Sequence, residues 1–141
     1  VLDAKYYKFG LTGNPKDLPE SSSINKQITY GEYIHTQRRF REMHGEDVVV
    51  YNAFVMPFNS DNNFFGTNDI YANIGEATGD WKSTGHEYEK VQGILVDIRY
   101  LMHHYTGKPK NQILRLAQSI EAAFDGTRGN VPDNDTASRA V

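Results

Sequence analysis

Two residues near the start of the chain have the types and the spacing to do chemistry together: Asp3 and Lys5. They belong to Val1-Leu2-Asp3-Ala4-Lys5-Tyr6-Tyr7, whose β-branched and aromatic residues predict a strand over residues 1–9. Side chains alternate along a strand, so Asp3 and Lys5 share one face while Leu2, Ala4 and Tyr6 share the other. A carboxylate is a hard oxygen ligand for a divalent cation. A lysine beside it can orient a water or offset the charge that grows on a phosphoryl oxygen. The competing reading is an edge strand that carries a surface ion pair worth about 0–1 kcal/mol.

The elements that follow must bring partners to that face. Residues 10–23 hold Gly10, Gly13, Asn14-Pro15 and Pro19 and predict a loop. Ser22 or Ser23 can cap a helix over residues 24–44, with Gly45 as its stop. At about 100° per residue, Gln27, Tyr30, Ile34, Arg38 and Arg41 fall within one arc of roughly 80°, and Gly31 lies beside it. A strand–helix–strand crossover sets the first turns of such a helix near the carboxyl end of the strand. Asp3, Lys5, Gln27 and Tyr30 are then expected to converge on one pocket, with Arg38 and Arg41 placed to track a phosphate backbone. An ordinary amphipathic helix with a solvated basic edge fits the same pattern.

The rest of the chain supplies a scaffold. Residues 47–58 form a nearly continuous apolar run, which predicts a strand buried on both faces and ending at Pro57. Residues 59–67 are turn-rich, 70–76 read as a strand, 78–80 as a turn, and 81–87 remain ambiguous. Residues 88–97 read as a strand running into a helix over 98–105, which Gly107 and Pro109 break. Ile113, Leu114, Leu116, Ala117, Ile120 and Phe124 mark an amphipathic helix over 111–124, stopped by Gly126. Residues 127–141 have little to bury and predict a disordered tail. The expected fold is one α/β domain, a mixed β-sheet flanked by helices.

Several functions are set aside by what the chain lacks. It has no cysteine, which removes disulfides, thiolate metal sites and cysteine nucleophiles, and suits a reducing cytoplasm. Its formal net charge of −3 is not that of a globally basic nucleic-acid binder, so any DNA contact must come from a local cluster. No run of apolar residues is long enough for a transmembrane helix. There is no His-Glu-x-x-His, no Gly-x-Ser-x-Gly and no phosphate loop. His35, His44, His86, His103 and His104 each read as surface or hydrogen-bonded side chains. The acidic pairs Glu87/Glu89 and Asp133/Asp135 read as solvated. The chain opens on Val1 in mid-strand, the expectation for a segment of a longer protein with partner strands on its N-terminal side.

The Asp3-Ala4-Lys5 strand followed by a Gln-bearing helix resembles the PD-(D/E)xK nuclease superfamily, with Asp3 and Lys5 matching the (D/E)xK half of its motif. Lys26-Gln27-Ile28-Thr29-Tyr30 is similar to the Gln/Tyr helix motif of RecB-type members, with Gln-x-x-Tyr in place of Gln-x-x-x-Tyr and a second tyrosine at Tyr33. The runs Val-Leu-Asp-Ala-Lys-Tyr-Tyr, Gly-Leu-Thr-Gly-Asn-Pro and Lys-Gln-Ile-Thr-Tyr-Gly-Glu-Tyr resemble the LlaJI-type, McrC-like restriction endonucleases over most of residues 1–124. That resemblance implies a restriction-endonuclease-like fold, present in part over residues 1–126. It implies a cytoplasmic Mg²⁺-dependent DNA endonuclease (Mn²⁺ also serving), which cuts double-stranded DNA beside a McrB-like AAA+ GTPase. Asp3 and the carbonyl of Ala4 would hold the metal, Lys5 the attacking water, Gln27 and Tyr30 would support them, and Arg38 and Arg41 would bind DNA. The family also uses an acid from the strand before Asp3. The alternative is a non-catalytic DNA-binding or assembly module of the same fold. A third possibility is an interaction domain that buries the 113–124 helix against a partner.

Overall fold

The structure, a computed structural model, describes residues 1–79, 84–104 and 109–128, with backbone alone at 109 and 125–128. A four-stranded mixed sheet is flanked by helices, as expected. Its strands are β1 (Leu2–Ala4), β2 (Asn52–Phe58), β3 (Tyr71–Thr78) and β4 (Lys90–Asp97), in the order β1-β2-β4-β3. β1 and β4 pair parallel with β2 on either side, and β3 closes the far edge antiparallel to β4.

β2 earns its central place by being apolar on both faces. Phe54, Met56 and Phe58 point to one side, where Ile28, Val91 and Leu95 meet them, and Ala53 points to the other, with Ile94, Val96, Ile120 and Phe124. The strand expected over 47–58 starts later, at Asn52, and ends as expected at Phe58, with Pro57 as its last residue but one. Ala53 N–H donates to Val1 O and Lys5 N–H to Val55 O, so odd-numbered backbone groups of β2 face β1. The missing N–H of Pro57 therefore falls on the β1 side, past the last β1 pairing at Val55, where no ladder bond is lost. β3 carries a bulge between Asn73 and Gly75, which sets Ile74 over Gly93.

The helices are α1 (Phe9–Thr12), α2 (Ser21–Thr36), α3 (Arg38–His44), α4 (Ile98–His103) and α5 (Pro109–Arg128). Several differ from the sequence expectation. The first strand is short, and the stretch read as loop holds α1, a 3₁₀ turn at Pro15–Asp17 and the first turn of α2. The single helix expected over 24–44 is two, because Gln37 is extended at φ −68°, ψ 118°. α5 begins on Pro109, a residue suited to a first helical turn, and continues through Gly126 to Arg128. The strand expected from residue 88 begins at Lys90 after a 3₁₀ turn at Glu87–Glu89. Trp81 in the ambiguous stretch, Asp80 of the predicted turn, Gly107 of the predicted break and the tail from 129 onward lie outside the described residues. No helix among the described residues is long and apolar enough to cross a membrane.

α2 covers the Phe54 face of the sheet and α5 the Ala53 face. Asp3 is in register with Phe54 and Leu2 with Ala53. Asp3 therefore rises on the α2 side and Leu2 on the α5 side.

Candidate functional site

Strand alternation delivers the first pair as expected. Lys5 Nζ stands 3.1 Å from Asp3 Oδ2, with both side chains partly exposed. Lys5 is held by its own N–H bond to Val55 O, at 3.0 Å. The alternation that turns odd-numbered backbone groups of β1 toward β2 turns those of Leu2 and Ala4 outward. The Ala4 carbonyl thus faces the open edge of the sheet, one residue from the Asp3 carboxylate.

Gln27 is 1% exposed and faces the sheet beneath α2. Its Nε2 donates to Val1 O at 3.1 Å and to Asn52 Oδ1 at 3.4 Å. Asn52 returns the contact, donating from Nδ2 to Gln27 O at 3.0 Å and to Tyr88 O at 2.7 Å. This buried amide pair ties α2 to β1, β2 and the turn before β4. Gln27 Oε1 is buried and has no hydrogen-bond partner among the described residues. Orphaned acceptors of this kind carry a desolvation penalty of about 1–3 kcal/mol.

The other predicted residues are placed differently. The buried stripe of α2 runs through Ile24, Gln27, Ile28, Gly31 and Ile34, which leaves Tyr30 at its margin, 52% exposed. The stripe does not carry on to Arg38 and Arg41, because the break at Gln37 starts a new helix. Arg38 Nε pairs with Glu42 Oε1 at 2.7 Å, and an Arg41 Nη lies 3.6 Å from Glu46 Oε2. Each guanidinium has a carboxylate beside it, so any phosphate must compete for it.

As a cation site the donors suit Mg²⁺ in kind, the Asp3 carboxylate and the Ala4 carbonyl both being hard oxygens. They are few in number, and no three His, Asp or Glu side chains among the described residues are grouped to hold a metal.

Two other carboxylates are buried, and both organise loops. Asp97 closes β4; burial works to raise its carboxyl, but hydrogen bonds from Ser60, Tyr100 and Arg99 outweigh this and hold it below the ordinary value. Glu89 follows the same logic: burial pushes its carboxyl up, and hydrogen bonds from Thr84 and Gly85, with the charge of His86, bring it down. Sequence reading missed one grouping. The rings of His35 and His86 lie 4.8 Å apart, centre to centre, and both rest on Tyr88. No local spacing announces this pair, because α2 carries one ring and the turn before β4 the other.

Comparison of the chain with protein-family models, with curated proteins and with solved structures finds no match. What the residues can do is therefore argued from their geometry.

Proposed function

We propose that the chain contributes the Asp-x-Lys part of the active site of a Mg²⁺-dependent DNA endonuclease, with a restriction-endonuclease-like fold of the McrC type. The observation that carries this reading is the pairing of Asp3 with Lys5 on the α2 side of the sheet. The two meet at 3.1 Å, and α2 brings to that face the buried amide of Gln27. A phosphodiester hydrolase needs an oxygen cage for a cation, a group to manage the attacking water and donors for the phosphate.

In this reading Asp3 and the Ala4 carbonyl hold Mg²⁺, which when bound polarises the phosphoryl oxygen and acidifies water. Lys5 orients the nucleophile and offsets charge as the phosphorus becomes five-coordinate. Gln27 fixes β1 against α2 through Val1 O. Tyr30 flanks the helix, and Arg38 and Arg41 meet DNA after exchanging their carboxylate partners for phosphate. The further acid that the resemblance requires belongs on a strand paired with the open edge of β1. Beside that edge runs a groove of about 520 Å³, lined by Leu2, Ile34, Phe40, Ile113 and Leu116 among others, which an added strand would cover. A McrB-like AAA+ GTPase partner and a cytoplasmic setting enter through the resemblance alone.

The test is cleavage of double-stranded DNA by the full-length protein with Mg²⁺. Asp3→Asn and Lys5→Ala are expected each to lower the rate by at least about a hundredfold, the general range for acid–base or oxyanion-type groups. Circular dichroism should show the fold intact. Undiminished cleavage in either variant refutes the assignment. The same groove favours the second reading, an assembly module without catalysis. That reading expects no Mg²⁺ dependence and no effect of Asp3→Asn on calorimetric Mg²⁺ binding.

A further inference from the structure

At the amino end of the sheet, away from Asp3, a hollow of about 190 Å³ opens between the end of α2, residues 46–50 and the turn before β4. Its wall includes His35, His86, Glu46, Asp47, Glu87 and Tyr88. Two histidines and three acidic residues thus border one small space, brought there by three separate stretches of chain, although no three of these side chains stand grouped to hold a metal as they are placed.

The imidazoles are the ordered part. Their ring centres are 4.8 Å apart with the planes inclined at 47°, so they do not stack face to face. His86 stacks on Tyr88 at 5.1 Å and 14°, and His35 packs on the same ring at 5.3 Å. Tyr88 is itself 5% exposed, so both histidines lean on a fixed support. His35 Nδ1 is buried with no hydrogen-bond partner among the described residues. The carboxylates are the adaptable part. Glu46 and Asp47 are exposed, and Glu46 Oε2 lies 3.6 Å from an Arg41 Nη.

We propose that this hollow is a binding site for a divalent transition cation of the Zn²⁺ or Ni²⁺ kind. His35 and His86 supply the two nitrogen ligands, and a carboxylate from Glu46 or Asp47 turns in to complete the set. Imidazole selects these borderline cations, whereas Mg²⁺ and Ca²⁺ take all-oxygen sites. The carboxylates add the negative charge that a dication requires. Binding requires one of the exposed carboxylates, Glu46 or Asp47, to turn in beside the rings. It joins the end of α2 to the turn before β4, and a ligand that binds the folded state alone raises its stability by mass action.

Titration of the intact chain with Zn²⁺ alone, followed by calorimetry and by thermal unfolding, tests this. One saturable site and a rise in Tm are expected, with excess Mg²⁺ failing to compete. His86→Ala, at an exposed position, should weaken binding at least about tenfold and abolish the rise in Tm. His35→Ala should do the same, and His103→Ala should change neither. The proposal is overturned if the native chain shows no saturable Zn²⁺ site. It is equally overturned if His86→Ala binds as the native chain does, or if Mg²⁺ displaces Zn²⁺ at comparable concentration.

Discussion

The carboxylate of Asp97 accepts from the N–H groups of Ser60, Arg99 and Tyr100 at 3.2, 2.9 and 3.3 Å, and from the Ser60 hydroxyl. It ends β4, caps α4 and pins the loop after β2 in one place. Replacing it by Ala leaves those donors buried or wet without an acceptor and should cost about 1–3 kcal/mol, measured by denaturant unfolding near neutral pH. The pH dependence has a definite sign. The folded carboxyl lies below its ordinary value, so its contribution is present above the unfolded value of about 3.9. It is lost as pH falls through the folded value. The native–variant gap should therefore be constant above about pH 5 and shrink below about pH 4. The boundary at Asp97-Ile98 was legible in the sequence, because strand periodicity gives way to helical periodicity there. Its partner Ser60 was not, since nothing local in the chain links the two. The same divide holds at the candidate site. Alternation alone put Asp3 beside Lys5, but the bond from Gln27 to Val1 O depends on how α2 docks.

α2 docks closely because Gly31 has no side chain. A Cβ there would stand 2.8 Å from Tyr88 Cβ and 3.1 Å from Asn52 Cγ, and nearer still to Asn52 Nδ2. Gly31→Ala should destabilise the fold by about 1–3 kcal/mol through overpacking, a loss that exceeds or offsets the gain of about 1 kcal/mol in helix propensity. Equilibrium unfolding of the single variant reads the net sign. Amides of residues 27 and 52 should shift most in its NMR spectrum, because Asn52 Nδ2 bonds to Gln27 O. Element types were legible wherever the apolar period was long, as in β2, β4, α2 and α5. Boundaries failed where the usual markers mislead. Gln37 breaks a helix without Gly or Pro, and Thr36 marks the spot only by turning its hydroxyl onto Tyr33 O at 3.0 Å. Gly126 is a breaker that breaks nothing, since it lies in the last turns of a helix, whereas Pro57 stands one residue before the end of β2.

Over the whole molecule the sheet is unequal. β2 and β4 are the inner strands, and β1 holds on by three residue pairs at an open edge. Local opening free energies follow such differences, so hydrogen exchange should be slowest in β2 and β4 and faster in β1. Within β1 the alternation makes a sharper claim. The amides of Asp3 and Lys5 face β2, and Lys5 N–H is bonded to Val55 O, so both should be protected. Those of Leu2 and Ala4 face outward and should exchange at rates near those of open chain, read residue by residue by NMR. Leu2 is also 53% exposed and lines the apolar groove that runs on to Ile113. An unpaired edge beside an apolar hollow is the surface to which an extended segment adds, through backbone bonds on the edge and alternate side chains in the groove. A segment that completes the proposed metal site must therefore slow exchange at Leu2 and Ala4 and leave Asp3 and Lys5 as they were. If it restores Mg²⁺-dependent cleavage while Leu2 and Ala4 still exchange freely, the completing acid reaches Asp3 by another path, and the edge of β1 has no part in the active site.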